Sequence, residues 1–269
     1  MDRTDLRNCR SLLFLPASNP RAIEKARDLP ADLIVLDLED AVREEEKGEA
    51  RRLAVEATNG GFDGRPVAIR VNRAGSRHFG EDVTAVRHAT IDYLVLAKAE
   101  TGKDAHDASW LVAKPVLAMI ETPRAVIDAN VIAPSSAGLI AGVNDLTAAL
   151  GLPEQKDREG LIFALQRIVL AARAADIPAF DGVYNRLESD AGLEAECRQG
   201  RAWGFDGKSV IHPSQIETAN RLFGPTEEEL EAARRLVAAA TGGAERHDGK
   251  MIEAMHVEQA HRLIARARR

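Results

Sequence analysis

Residues 114–150 read KPVLAMIETPRAVIDANVIAPSSAGLIAGVNDLTAAL, and the reading of this stretch decides the fold. Two short apolar runs, 116–120 and 138–143, each end abruptly in acid or amide: Glu121 after the first, Asn144 and Asp145 after the second. Thr122 followed by Pro123 has the form of an N-cap with proline at the first helical position, so the first unit reads strand, carboxylate, helix. The second repeats it, with Asp145 placed to cap a helix that begins near Leu146. Two neighbouring parallel strands that end in carboxylates at one edge set two hard oxygen ligands side by side. Such a pair suits Mg²⁺ or Mn²⁺ with positions left open for substrate.

Outward from this stretch the same alternation continues in both directions. Strand-like runs fall at 11–15, 32–36, 67–71, 93–97, 116–120, 138–143, 177–180 and 208–211, with helix-like segments such as 44–57 and 158–175 between them. Strands alternating with helices imply a parallel sheet built from βα units. Eight units in 269 residues match a TIM (β/α)8 barrel, whose usual length is roughly 250 residues. A doubly wound sheet is the competing α/β architecture, but no GxGxxG follows the first run. Polar residues stand at or just past every run: Asn19; Asp37, Glu39 and Asp40; Arg70 and Asn72; Lys98 and Glu100; Glu121; Asn144 and Asp145; Asp181; His212. Strands commonly end in polar residues because loops are wet, yet in a barrel these ends converge on the face that carries the active site.

Composition narrows the function classes. Hydrophobic residues at 45% and charged residues at 29% fit a soluble globular chain, and a formal charge of −6 argues against nucleic acid or an anionic membrane as the main partner. An anionic ligand must therefore be held by local cations. The N-terminus MDRTDLRNCR is too charged for a signal peptide, no run approaches a membrane span of roughly 20 residues, and Cys9 and Cys197 are too isolated for a disulfide framework or zinc site. The expectation is a reduced, cytoplasmic protein.

Residues 1–240 are expected to form the barrel; 241–249, TGGAERHDG, read as a linker, and 251–269 as an amphipathic helix that packs on the barrel's outside or on a neighbouring subunit. In the first loop, Asn19 and Pro20 open a helix that carries Arg21 and, one turn on, Lys25. The pair reads equally as a phosphate clamp and as two exposed cations. Arg70 lies inside a strand, where a charge requires a carboxylate partner from protein or substrate; Asp37, Glu39 and Asp40 are the nearest acids. Glu39, Asp40, Lys98 and Asn144 are further candidates for substrate contact. GFDGKS lacks the first glycine of a phosphate loop, and GxSxG and HExxH are absent.

With Arg70, Glu121 and Asp145 in place, the chain resembles the citrate lyase β subunit and malyl-CoA lyase family, the CitE-like branch of the HpcH/HpaI aldolase superfamily. The matching segments run almost end to end: RSLLFLPASNPRAIEKA, VLDLEDAVREEEKGEAR, VAIRVN, LAKAE, MIETP, GVNDLTAALG, FDGVYN, GFDGKSVIHPSQI and GKMIEAM. The resemblance implies a β/α barrel that assembles as trimers or hexamers and cleaves or forms a carbon–carbon bond in 3-hydroxyacyl-CoA thioesters with Mg²⁺. It implies metal ligation by Glu121 and Asp145, a substrate contact for Arg70, coenzyme A phosphate contacts for Arg21 and Lys25, and an acid, Glu253, reaching over a neighbour's site. Glu253 where relatives have aspartate, Asn144 where many have glutamate and Arg186 where an acid is common are departures. They leave open the acyl group, a coenzyme A or acyl carrier protein carrier, and two rival readings: a pyruvate aldolase without coenzyme A, and a non-catalytic thioester-binding subunit.

Overall fold

The computed structural model describes residues 6–153, 157–240, 245–247 and 250–267. Eight parallel strands close into a barrel in chain order: β1 Ser11–Pro16, β2 Leu33–Asp37, β3 Val67–Val71, β4 Tyr93–Leu96, β5 Val116–Ile120, β6 Gly138–Ala141, β7 Ala179–Asp181 and β8 Gly207–Val210. Closure is made where Ser11, Leu12 and Leu13 of β1 register against Lys208, Ser209 and Val210 of β8. All eight apolar runs of the sequence are strands, 67–71 and 116–120 with the same ends and the other six with ends shifted by one or two residues. β6 stops at Ala141 because Gly142 turns the chain into the helix Val143–Ala149. β7 begins two residues late, since Pro178 lacks an N–H for the ladder.

Side chains alternate across each strand, and this sorts the core into two layers. Leu12, Phe14, Leu33, Val35, Ala68, Val95, Leu117, Met119, Ile140 and Phe180 fill the barrel's interior. Leu13, Leu15, Ile34, Leu36, Ile69, Leu94 and Leu96 face the helices outside. Continuing the inner series two residues further along β2, β3 and β5 reaches Asp37, Arg70 and Glu121. Parity alone thus brings one arginine and two carboxylates onto the axis at the C-terminal mouth.

The opposite parity takes Asp181 and Lys208 outward. The sequence placed Asp181 among the mouth residues; it is instead buried beneath the helix Ala191–Ala202, accepting from Arg158 Nη1 at 2.7 and 2.8 Å and from Lys208 Nζ at 3.2 Å. Lys208 also reaches Glu196 at 3.0 Å. Gly200 leaves the room, for a Cβ there would press on Asp181 Oδ2.

After the outer helix Glu227–Ala239, the strands β9 Glu245–His247 and β10 Lys250–Ile252 pair antiparallel, and the last helix is Ala254–Arg266. Pairing of residues 250–252 with 245–247 is why the helix expected over 251–269 starts only at Ala254; residues 241–244, 248–249 and 268–269 of the expected linker and tail lie outside the described residues. The last helix lies against Glu227–Ala239 of the same chain, and Arg266 donates to the carbonyls of Asp206 and Phe223 at 2.7 and 3.1 Å. Among the described residues no helix is long and apolar enough to cross a membrane.

Removing one member of a buried charge group leaves the others uncompensated, at a cost of about 3 to 5 kcal/mol. Asp181→Ala leaves Arg158 and Lys208 with Glu196 as their one remaining acid, so urea unfolding followed by far-UV circular dichroism is expected to show a loss toward the lower end of that range. An unchanged midpoint would mean that the network contributes nothing to stability.

Candidate active site

Arg70 and Asp37 form the floor of the mouth. Asp37 accepts from Arg70 Nε at 2.6 Å and from Nη2 at 2.5 Å, the two-pronged geometry that suits guanidinium and carboxylate. The same carboxylate accepts the backbone N–H groups of Glu39 at 2.8 Å and Ala41 at 3.2 Å, so it fixes the turn after β2 as well as the arginine. The guanidinium lies 5.4 Å from the centre of the Phe14 ring. Its remaining nitrogen, Nη1, meets Met119 Sδ at 3.4 Å and Glu39 Oε2 at 3.5 Å. The charge that the sequence required to be paired inside β3 is paired, with Asp37. Burial alone would lower the Arg70 pKa, but Asp37, Glu39 and Glu121 together hold it above its ordinary value.

Glu121 ends β5 and is only 1% exposed. One oxygen accepts the backbone N–H of Lys98 at 2.6 Å. The other lies against Gly142, where any Cβ would overlap the Glu121 side chain, so glycine is required at 142 for this carboxylate to occupy its place. Burial pushes the Glu121 pKa up to about 7 against the opposing pull of Arg70, with Glu39 and Asp145 adding to the rise. Burial likewise raises Glu39, opposed by Arg70 and Lys98.

Lys98 follows β4 with φ of 48°, in the left-handed region. Its ammonium lies 2.5 Å from Glu39 Oε1, 3.4 Å from Asp40 Oδ2 and 3.5 Å from Asp145 Oδ1. Although burial works against the charge, the Glu39 bond and the surrounding acids keep the Lys98 pKa above its ordinary value. Asp145 is not the helix cap: Gly142 holds that position, and Asp145 lies in the first turn of Val143–Ala149. Asn144 turns toward Asn185, the two amides exchanging hydrogen bonds of 3.1 and 2.7 Å.

A cavity of about 380 Å³ opens above these groups, with Asp37, Asp40, Arg70, Glu121, Asn144 and Asp145 on its polar side and Phe14, Met119, Val183 and Ile211 on its apolar side. A second groove shares Pro16 and Ala41 with it and carries Asn19, Arg21, Arg43 and Glu46. Of the expected pair of cations, Arg21 lines this groove and Lys25 is exposed without lining it; Arg43 takes the second place. Glu253 is exposed and absent from the lining of both cavities in its own chain. His212 is a capping residue, its Nδ1 2.8 Å from Ser214 Oγ. Gly142, Arg43 and Asn185 are the site residues that sequence reasoning did not single out, and among Asp37, Glu39 and Asp40 it left open which acid pairs with Arg70. Among the described residues no three His, Cys, Asp or Glu side chains are grouped to hold a metal by themselves. Glu121 and Asp145 do supply two hard oxygen donors at one cavity, the number with which Mg²⁺ is commonly bound when substrate and water complete its shell.

A closed parallel barrel with an arginine and paired acids at its C-terminal mouth has these groups on the face where β/α-barrel enzymes carry their active sites. The sequence profile of the HpcH/HpaI aldolase/citrate lyase family matches residues 10–213, and the chain belongs to that family. Among named relatives, a (3S)-malyl-CoA thioesterase of Cereibacter sphaeroides is 41% identical over 96% of this chain and 94% of its own length. The citrate lyase subunit beta of Escherichia coli is 32% identical over 97% of this chain and 94% of its own. Among solved structures, CitE from Mycobacterium tuberculosis in complex with magnesium, acetoacetate and coenzyme A superimposes with a TM-score of 0.82 at 31% identity, over 97% of this chain and 99% of that one.

The raised Glu121 pKa has a definite sign in metal-free protein. A carboxyl that holds its proton longer in the folded state favours folding at low pH, and that contribution is lost as pH rises from the ordinary carboxylate range through about 7. In a chelator, wild-type protein is therefore expected to lose stability relative to Glu121→Gln between pH 5 and pH 8, as read by urea midpoints. Parallel midpoint curves for the two proteins would contradict it.

Proposed function

We propose that the chain is a Mg²⁺-dependent carbon–carbon lyase of 3-hydroxyacyl-CoA thioesters, with malyl-, citramalyl- and citryl-CoA as the candidate substrates. The observation that carries this reading is the largely covered Arg70, held by Asp37 through Nε and Nη2 and lining the same cavity as Glu121 and Asp145. Cleavage breaks the C2–C3 bond of the acyl chain, passes the 3-hydroxyl proton to water, and leaves an oxo acid and the enolate of acetyl-CoA. When bound between Glu121 and Asp145, Mg²⁺ would polarise the substrate's carboxylate and hydroxyl oxygens and lower the hydroxyl pKa.

The other steps fall to the protein. Arg70 meets the negative charge that develops on the thioester oxygen, and because Asp37 already fixes its plane, little reorganisation accompanies the reaction. Burial of this pair keeps water from weakening the interaction. The groove with Arg21 and Arg43 opens from the cavity at Pro16 and Ala41 and takes the coenzyme A phosphates. Since Glu253 lies outside its own chain's cavity, it gives a proton to the enolate carbon only from a neighbouring copy, which requires a homo-oligomer.

Thioester hydrolysis is a second reading, favoured by the 41% identity to the (3S)-malyl-CoA thioesterase. It uses the same substrate and breaks the acyl C–S bond with water, so the two readings part at the products. Lysis of (3S)-malyl-CoA yields acetyl-CoA and glyoxylate; hydrolysis yields malate and free coenzyme A.

Purified protein incubated with each of the three thioesters, with Mg²⁺ or with chelator, separates the readings by chromatography of the products. We expect chelator-sensitive acetyl-CoA, lost in Glu121→Ala and reduced about 100- to 1,000-fold in kcat by Arg70→Met. Free coenzyme A with malate would establish the hydrolase instead. Turnover that survives both chelator and Glu121→Ala would remove the metal assignment.

A further inference from the structure

Lys98 is unusual on two counts. Its φ of 48° is a conformation that a lysine adopts rarely and at some cost in energy, so the surroundings must hold it there. Its two polar ends then serve different carboxylates: the backbone N–H donates to Glu121 at 2.6 Å, while the ammonium reaches Glu39 at 2.5 Å, Asp40 at 3.4 Å and Asp145 at 3.5 Å. One residue after β4 therefore touches acids that arise after β2, β5 and β6. Arg70, the other cation at the mouth, is engaged by Asp37, lies 3.5 Å from Glu39 and acts on Glu121 at longer range. No contact from Arg70 relieves Asp145.

We propose that the Lys98 ammonium is the resident counter-cation of the carboxylate cluster and sets its affinity for a divalent ion by competing for Asp145. This rests on the assignment of Glu121 and Asp145 as the metal's carboxylates. Two cations cannot share the same acids without repelling each other, so a positive charge fixed 3.5 Å from Asp145 weakens divalent binding by whatever it contributes to that carboxylate when no metal is present. The side chain suits the task. It is about one-quarter exposed, on a flexible stem, and already bonded to Glu39 at 2.5 Å, so it can move off Asp145 and keep Glu39 and Asp40 as partners. The backbone N–H contact to Glu121 does not depend on the side chain and survives that movement. The competition predicts an affinity weaker than two unobstructed acids would give, and a folded metal-free protein whose mouth is not left to the acids' mutual repulsion.

The test measures binding, with no turnover involved. Mn²⁺ affinity is read by electron paramagnetic resonance of the free ion for wild type, Lys98→Met, Lys98→Arg and Glu121→Gln, each checked for fold by circular dichroism. Lys98→Met is expected to bind Mn²⁺ about tenfold more tightly or better, and Lys98→Arg to stay within about threefold of wild type. In chelator, Lys98→Met is expected to melt below wild type, and the difference to shrink when Mn²⁺ is added. Unchanged or weaker Mn²⁺ binding by a folded Lys98→Met protein overturns the proposal, since Lys98 would then be an orienting group or a bystander. Failure of the underlying assignment looks different: Glu121→Gln would bind Mn²⁺ as wild type does, or wild type would bind none.

Discussion

The arrangement at the barrel mouth depends on one electrostatic constraint. Five carboxylates, those of Asp37, Glu39, Asp40, Glu121 and Asp145, lie within reach of two cations, Arg70 and Lys98. Carboxylates buried together repel and resist ionisation, which is visible in the upward shifts of Glu39 and Glu121. Evolution of a stable fold alone would have no reason to gather so many. The excess of negative charge over positive would favour a divalent cation at the place proposed for it, between Glu121 and Asp145. The structural pairs, by contrast, are balanced: Arg158 and Lys208 are matched by Asp181 and Glu196 on the outer side of the same sheet.

Comparing the two charge groups explains what could be read from the sequence. The barrel was legible because eight apolar runs bounded by polar residues leave few other architectures at this length. The facing of Arg70, Glu121 and Asp37 was legible in principle from parity, since each lies two residues beyond an inner apolar residue. Asp181 was misplaced for the same reason. With β7 read as 177–180, the acid falls past the strand's end and could point anywhere; with β7 at Ala179–Asp181, Phe180 faces in and Asp181 must face out. A shift of one residue at a strand end is the difference between a mouth acid and a structural one.

The remaining features depend on contacts between distant parts of the chain. Nothing in LAKAE announces that Lys98 adopts a positive φ, because lysine is not a residue whose presence signals that conformation. Asn144 was read as a substrate or metal neighbour; its amide instead pairs with Asn185, 41 residues later, a partnership invisible to local pattern. In the first loop, helical spacing put Arg21 and Lys25 on one face as a pair, but Lys25 does not line the groove, which is completed by Arg43 from the segment after β2. Gly142 shows the converse. Its requirement comes from Glu121, twenty-one residues earlier, and a glycine in GVND could as easily have been a simple turn.

The two halves of the mouth are held by different means, and this bears on what each can do. The ends of β2 and β3 are locked from below by the KGEAR segment. Lys47 is buried and donates to the carbonyls of Leu38 at 2.8 Å and Glu39 at 3.0 Å and to Asn72 at 3.2 Å. Asn72 donates in turn to Asp82, which accepts from Arg51 at 2.7 Å. That network spends no charge on the cavity, and it fixes the backbone that carries Asp37, Glu39 and Arg70. A group that must meet developing charge without reorganising benefits from such a support. Among the described residues the acids of β5 and the helix after β6 have no comparable lock: Glu121 is held by a backbone N–H and the space at Gly142, and Asp145 by the ammonium of a partly exposed lysine. On the function proposed above, an acid that exchanges a lysine for a metal ion needs that freedom, and Asp145 has it. Rigid support lies under the arginine and exchangeable support under the acids, the division of labour expected where one side stabilises charge and the other binds a cation.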